Sequence, residues 1–220
     1  MGRPTLSLQV MYRRLATAFG PQHWWPADSA FEMMVGAILT QATNWHNVEQ
    51  AIARLRQAGA LSPRGLLALT SARLRRCVRP AGYFRQKATR LRQYARWYLR
   101  RFNGRPERLF AVAWPHLRAQ LLELHGVGPE TADSILLYAG EQPVFVVDAY
   151  TQRIFRRHGL IDATADYDQT QRLVMQRLRP SAGRYKEFHA LLVAVGKRYC
   201  RRRDPHCESC PLGSWPHTLR

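Results

Sequence analysis

Helical spacing of apolar residues dominates this chain, whereas the alternating apolar and polar runs that predict strands are nearly absent. In residues 7–20 the apolar side chains recur every three or four positions until Gly20, as in an amphipathic helix that ends at a glycine. Residues 30–43 are apolar on nearly every face, which predicts a buried helix. About ten short helices of this kind predict an all-α fold.

The net charge of +19, from 34 basic and 15 acidic residues, indicates a polyanionic partner. Enzymes for small acidic metabolites rarely carry such an excess, whereas a nucleic-acid binder gains phosphate contacts and counterion release from it. An arginine-rich composition without functional meaning is the alternative. We find no apolar run of the roughly 18 residues needed to span a membrane and no signal-peptide core, so we expect a cytoplasmic, nucleoid-associated protein. A monomer is the default expectation.

Residues 125–138, HGVGPETADSILLY, place two glycines at a tight turn between two helical patterns. Glycine permits positive φ and leaves the backbone uncovered, so N–H groups at the start of the second helix can face a phosphate. The alternative is an ordinary connection between helices, because glycine often follows the last residue of a helix.

Asp148 follows the apolar run 144–147, where an unpaired carboxylate is costly. It is a candidate catalytic acid and also a candidate N-cap for the helical pattern that begins at residue 149. Both roles can hold together. The apolar pattern around His189, in EFHALL (187–192), predicts a packed core histidine, and no role follows from the sequence for His125.

The hairpin and aspartate together, HGVGPETAD followed by VFVVDAY, resemble the helix-hairpin-helix, Gly/Pro-rich loop and catalytic Asp of the endonuclease III superfamily of DNA glycosylases. The resemblance spans roughly residues 25–212 and includes three further stretches in order. These are ILTQATN (38–44), AGYFRQKA (81–88) and RYKEFHALLVAVGKRYC (184–200).

The resemblance implies a two-domain all-α fold with the DNA cleft between the domains. A six-helix barrel domain that contains the helix-hairpin-helix would span residues 28–142. Residues 1–27 and 143–220 would form the second helical domain, with a cysteine loop near the C-terminus. The implied partner is double-stranded DNA with a damaged nucleotide flipped out of the duplex.

The implied reaction is hydrolysis of an N-glycosidic bond in base excision repair. By resemblance, Asp148 stabilises the positive charge that develops on the sugar and helps to activate water. Family members that also cut the strand carry a hairpin lysine, whose amine forms a Schiff base. This chain has Glu130 there, and its three lysines lie elsewhere. We therefore expect a monofunctional glycosylase without lyase activity.

The resemblance further implies a set of residues that contact DNA. Gln41 would fill the gap left by the flipped base, and Tyr83 would wedge into the opposite strand. The alternatives are a buried amide and a core aromatic. The implied set is Gln41, Tyr83, Lys87, Gly126, Val127, Gly128 and Thr131.

Three tryptophans, Trp24, Trp25 and Trp45, together with Glu130 are the candidates for a pocket that binds the base. Aromatic faces attract a cationic base, and the pattern resembles the 3-methyladenine-DNA glycosylase branch of the superfamily. We therefore favour alkylated purines such as 3-methyladenine. The alternatives are oxidised or mismatched pyrimidines, such as thymine glycol or uracil and thymine opposite guanine, and a non-catalytic binder of distorted DNA. The tryptophan pair could instead anchor the N-terminal helix.

Cys200, Cys207 and Cys210 match the first two spacings of the C-x6-C-x2-C-x5-C loop that holds a 4Fe–4S cluster in the family. The fourth position is Pro216, and His217 beside it is the further candidate ligand. A cluster with a non-cysteine or missing fourth ligand, a zinc ion, and a loop without metal all remain open.

Overall fold

The computed structural model describes residues 7–219, and within this range it consists of helices and turns without a β-strand. The predicted all-α fold is confirmed. The helices are α1 (Leu8–Phe19), α2 (Ala30–Leu39), α3 (Trp45–Gln57), α4 (Pro63–Ala68), α5 (Ser71–Val78), α6 (Phe84–Phe102), α7 (Pro106–Phe110), α8 (Trp114–Leu122), α9 (Pro129–Ser134), α10 (Ala149–Arg157), α11 (Tyr167–Arg177) and α12 (Ala182–Arg198).

Polar side chains fix where most of these helices begin. At eight N-termini the residue before the helix accepts a hydrogen bond from a backbone N–H of the first turn, which satisfies one of the donors left unpaired there. These caps are Ser7, Ser29, Asn44, Ser62, Thr70, Asp148, Asp166 and Ser181.

The chain divides into two compact units. The central unit is Trp25–Gln142, and the discontinuous unit combines the described parts of Met1–Trp24 and Pro143–Arg220. The domain limits inferred from the resemblance, 28–142 against 1–27 with 143–220, stay a prediction. Residues 1–6 and 220, which that prediction includes, lie outside the described range.

The central unit is organised around α2, which is buried from Phe31 to Leu39. The sequence predicted a buried helix over 30–43, but α2 ends at Leu39 because Thr40 and the following residues turn, with Ala42 at a φ of 51°. This turn carries Gln41 away from the helix. Helix α6 covers α2 with Tyr94 and Tyr98, and the Tyr94 hydroxyl donates to Met34 Sδ at 2.8 Å.

The discontinuous unit packs α10 and α1 against α12. Its core contains three phenylalanines, Phe145, Phe155 and Phe188, all fully shielded from solvent. Phe145 belongs to an extended, buried segment that leads directly into Asp148 at the start of α10. None of the helices within residues 7–219 is long and apolar enough to cross a membrane.

Candidate active site and nucleic-acid interface

Asp148 lies at the N-terminus of α10 and its side chain is only 11% exposed. One carboxylate oxygen, Oδ1, accepts the Thr151 backbone N–H at 2.7 Å. The other, Oδ2, lies 3.6 Å from Nε2 of His189. Burial by itself would raise the pKa of Asp148, but His189 and the Thr151 N–H outweigh it and hold the pKa below its usual value. Asp148 is therefore an ionised carboxylate in a shielded setting.

His189 is the residue near Asp148 that sequence reasoning did not assign to the site. The expectation of a packed histidine agrees with its 6% exposure and with the edge of Phe145, whose ring centroid is 6.5 Å away. Its position beside Asp148 depends on the packing of α12 against α10. No local pattern signals that contact, because 40 residues of sequence separate the two side chains.

The predicted hairpin consists of α8, a turn and α9. Gly126 in the turn has a φ of +81°, and a Cβ there would lie 2.1 Å from Nε of Arg90. Gly128 precedes α9 in an extended conformation, and a Cβ there would meet open space. Val127 between them packs inward with 7% exposure. The first turn of α9 has no side-chain cap, so this part of the hairpin presents an uncovered backbone.

Gln41 is hydrogen-bonded to the hairpin. Its Nε2 donates to Gly126 O at 2.9 Å and to Thr131 Oγ1 at 2.9 Å. Arg90 Nη1 donates to Gln41 Oε1. The structure thus brings together three of the predicted DNA contacts and adds Arg90, which the sequence pattern did not single out. To enter a gap in DNA, Gln41 would have to exchange these hydrogen bonds.

Tyr83 and Lys87 lie at the start of α6 and differ sharply in exposure. Tyr83 is 66% exposed at a φ of 44°, which presents its ring to solvent. Lys87 is 1% exposed, and its Nζ donates to Leu39 O at 2.9 Å and Ala81 O at 2.7 Å. The prediction that Lys87 contacts DNA is therefore wrong in this structure, because two main-chain carbonyls already bind its ammonium group. Lys87 instead links the end of α2 to the loop before Tyr83.

Lys87→Met is expected to lower the free energy of unfolding by about 1–3 kcal/mol, because the Leu39 and Ala81 carbonyls lose their donor.

Burial, and then the charge of Arg90, lower the pKa of Lys87 to about 8. The unfolded chain therefore binds more protons than the folded one from pH 8 to about 10.4, and wild-type stability gains from this group as pH rises. Denaturant unfolding from pH 7 to 10 measures both effects. Lys197→Met is the control; its side chain is exposed and contacts only the Trp24 ring among the described aromatic rings, so stability should change by less than about 1 kcal/mol.

A cavity in the central unit contains two of the three tryptophans. The rings of Trp25 and Trp45 meet edge to face with centroids 5.2 Å apart, and Tyr138 lies 4.9 Å from Trp25. Tyr138 belongs to a π-helical segment, Ile135–Ala139, that continues α9. The cavity is lined by Trp25, Pro26, Ala27, Asp28, Glu32, Gly36, Trp45, Glu49, Ile52 and Arg56.

The charge of this tryptophan cavity is opposite to that of the whole chain. Its lining includes three carboxylates and one guanidinium, whereas the whole protein has a net charge of +19. These are Asp28, Glu32, Glu49 and Arg56. Arg56 pairs with Asp28 at 2.7 Å and with Glu32 at 2.8 Å, while Glu49 accepts from Trp45 Nε1 at 2.9 Å. Aromatic faces beside carboxylates suit a cationic or electron-poor ring.

The other two predicted pocket residues lie elsewhere. Trp24 belongs to the discontinuous unit, where Lys197 Nζ is 5.2 Å from its ring centroid. Glu130 is exposed in the first turn of α9 and does not line the tryptophan cavity. Of the four candidates for the base pocket, Trp25 and Trp45 are thus the two that the structure brings together.

The three C-terminal cysteines line one cavity of the discontinuous unit with His158 and His217. Burial raises the pKa of the Cys207 and Cys210 thiols, and Arg157 Nη1 donates to Cys200 Sγ at 3.2 Å. Thiols and imidazoles are suitable ligands for an iron–sulfur cluster or zinc. Within residues 7–219, however, no three His, Cys, Asp or Glu side chains converge as a set that could hold a metal ion. In this arrangement the three cysteines and the two histidines are not positioned to coordinate one metal ion together.

Known proteins are similar to this chain over nearly its whole length. A family model of the HhH-GPD superfamily of base excision DNA repair proteins matches residues 35–180. The DNA repair glycosylase candidate MJ1434 of Methanocaldococcus jannaschii is 41% identical over 204 residues, 92% of each chain. Endonuclease III of Thermotoga maritima is 27% identical over 93% of this chain and 90% of its own.

Among solved structures, the 3-methyladenine DNA glycosylase MagIII of H. pylori, bound to 1,N6-ethenoadenine, superposes with a TM-score of 0.77. It is 27% identical, and the match covers 88% of this chain and 98% of MagIII. The similarity therefore extends over both compact units, from the helices of the central unit to those on either side of it in sequence.

Proposed function

The chain belongs to the HhH-GPD superfamily of base excision DNA repair proteins, and on that premise we propose that it is a monofunctional DNA glycosylase for N-alkylated purines. The observation that carries the catalytic part is Asp148, a shielded carboxylate whose lowered pKa keeps it ionised. Such a charge stabilises a cationic transition state more strongly than it could in water.

In the proposed reaction the base leaves with the electrons of the N-glycosidic bond, and positive charge develops on the sugar. Asp148 stabilises that charge and accepts a proton from the water that adds to the anomeric carbon. The base must first leave the duplex stack, as in other enzymes that act on a single base. We assign the uncovered hairpin backbone at Gly128 to phosphate binding and exposed Tyr83 to the wedge.

The proposed lack of lyase activity rests on the positions of the amines. Glu130 occupies the hairpin position at which a Schiff-base lysine would be needed. Lys87 is shielded and bound to two carbonyls, and Lys197 lies over the ring of Trp24. We infer that water, not a lysine, attacks the sugar.

The proposed preference for alkylated purines rests on the tryptophan cavity and on the similarity to MagIII. N-alkylation makes a purine cationic or electron-poor and a better leaving group, so aromatic capture and one carboxylate can suffice. Trp25, Trp45 and the three carboxylates of the cavity offer that capture. The bound 1,N6-ethenoadenine of MagIII is likewise a modified purine.

A second candidate substrate class is oxidised or mismatched pyrimidines, which the sequence resemblance to the endonuclease III superfamily also allows. One experiment separates the two. Duplexes that carry a single 3-methyladenine, thymine glycol, or uracil opposite guanine are incubated with the purified protein, and free base is quantified under single-turnover conditions. Release of 3-methyladenine at least about tenfold faster than either pyrimidine corresponds to roughly 1.4 kcal/mol of transition-state discrimination and supports the first class. The reverse order supports the second.

Trp45→Ala is expected to slow release of an alkylated purine about tenfold, because stacking of one base on one aromatic ring contributes about 1–3 kcal/mol. Trp114→Ala, also half-buried in the central unit but outside the tryptophan cavity, is the matched control. Equal losses in the two variants would contradict a role for the cavity in base capture.

The cysteine cavity is the candidate site for a structural metal. Cys200, Cys207 and Cys210, with His217 as a fourth donor, would hold a 4Fe–4S cluster or zinc after the side chains rearrange. Such a group would fix the C-terminal loop. Iron, zinc and acid-labile sulfide in protein purified without oxygen distinguish a cluster, zinc and a metal-free loop.

A further inference from the structure

We propose that His189 is a positioning residue that fixes Oδ2 of Asp148 for base release, an inference that rests on the proposed glycosylase function. The two carboxylate oxygens of Asp148 face different elements. Oδ1 accepts the Thr151 N–H of α10 at 2.7 Å, whereas Oδ2 faces His189 Nε2 of α12 at 3.6 Å.

The cap bond alone leaves the carboxylate incompletely fixed. An N-cap aspartate needs only one oxygen for the N–H group, so a contact at Oδ2 adds a second restraint on rotation about the Cβ–Cγ bond. At this position Oδ2 meets an imidazole that is only 6% exposed. Phe145 packs against that imidazole with its ring nearly perpendicular, at 83°, and restricts how far His189 can turn.

The 3.6 Å separation is longer than a hydrogen bond. Polar contacts in a free enzyme commonly shorten when substrate binds, and a closing of less than 1 Å would bring Nε2–H into hydrogen-bond range of Oδ2. In a shielded setting that donor would both orient the carboxylate and favour its ionised form.

Two variants at this position distinguish positioning from packing. His189→Leu fills a similar volume without a donor, and His189→Gln restores a side-chain N–H. Single-turnover base release by His189→Leu is expected to fall about tenfold to a hundredfold, as for a reacting group misplaced by about 1 Å. The Kd for a duplex with an uncleavable abasic analogue should remain unchanged, and His189→Gln should recover most of the rate.

An unchanged rate in His189→Leu would overturn the proposal. So would equal losses in the Leu and Gln variants, since a packing role does not distinguish a donor from a methyl group. A higher Kd with an unchanged rate of base release would also overturn it, because the defect would then lie in DNA binding.

A second measurement tests the contact without any substrate. Thermal unfolding of wild type, Asp148→Asn, His189→Leu and the double variant forms a double-mutant cycle. If the side chains interact, the Tm loss of the double variant differs from the sum of the single losses, whereas additive losses overturn the contact. A wild-type protein that releases no base from any duplex would instead overturn the proposed function, and the cycle would still decide whether His189 and Asp148 are coupled.

Discussion

Asp148→Asn is expected to slow single-turnover base release by at least about a thousandfold while leaving DNA affinity equal to or greater than that of wild type. Loss of a preorganised charge at the position where opposite charge develops costs catalysis on this scale. Binding should be preserved because the substitution removes a negative charge from a protein that binds a polyanion. Rates are measured with enzyme in excess, and affinity with an uncleavable duplex.

Asp166→Asn is the matched control for that variant. Asp166 is also an aspartate N-cap of the discontinuous unit, and it accepts the Gln169 backbone N–H at 2.7 Å. Asparagine caps helices about as well as aspartate, so both variants should remain folded with similar Tm values. Only Asp148→Asn should lose base release. Equal activity of the two variants would contradict the assignment of Asp148 as the catalytic carboxylate.

Gly126→Ala is expected to destabilise the hairpin by about 1–3 kcal/mol, because alanine is strained at positive φ. The φ of Gly126 is +81°, and the added Cβ would also displace Arg90. Displacing Arg90 breaks its hydrogen bond to Gln41, and the Gly126 carbonyl that receives Gln41 Nε2 would shift. Affinity for duplex DNA should therefore fall together with stability. Chemical denaturation and fluorescence anisotropy measure the two losses.

Gly128→Ala is the control that distinguishes the positive φ and the Arg90 contact of Gly126 from a general sensitivity of this turn to any added side chain. Gly128 has a φ of −95° and nothing lies within 4 Å of a Cβ built there. Its free energy of unfolding should stay within about 0.5 kcal/mol of wild type. Equal destabilisation by the two alanine variants would show that neither the positive φ nor the Arg90 contact explains the sensitivity of the hairpin.

Patterns that act over one or two helical turns were predictable from sequence. Ser62 before Pro63 marks the start of a helix, and Gly20 ends one with a φ of 67°. The apolar residues of α2 indicated a helix buried on all sides. Asp148 was predicted as a cap, and it accepts the Thr151 N–H. Each of these features depends on residues within about four positions of one another, which is the range over which helix geometry connects side chains.

Features that depend on tertiary packing were not predictable. The family resemblance implied that Lys87 contacts DNA, yet its ammonium group binds the carbonyls of Leu39 and Ala81. In the sequence, nothing distinguishes Arg90 from the other basic residues of α6. Only the fold places it against Gln41 and Gly126. Adjacent Trp24 and Trp25 seemed to be a pair, whereas their rings have different neighbours, Lys197 and Trp45.

The π-helical segment Ile135–Ala139 also has no signature in the sequence. Its extra residue per turn changes the direction of the side chains that follow, and Tyr138 within it packs on Trp25. Such segments are frequent at functional sites.

The central claim is that this chain releases a damaged base by means of Asp148 and water. Its most direct test uses a duplex with one 3-methyladenine, in which free base and strand breaks are counted separately before and after hot alkali. We expect one free base for every break, with the breaks appearing only after alkali. Breaks that accompany base release without alkali would contradict the use of water in place of an amine, and intact DNA with no free base from this or either pyrimidine duplex would contradict the glycosylase assignment itself.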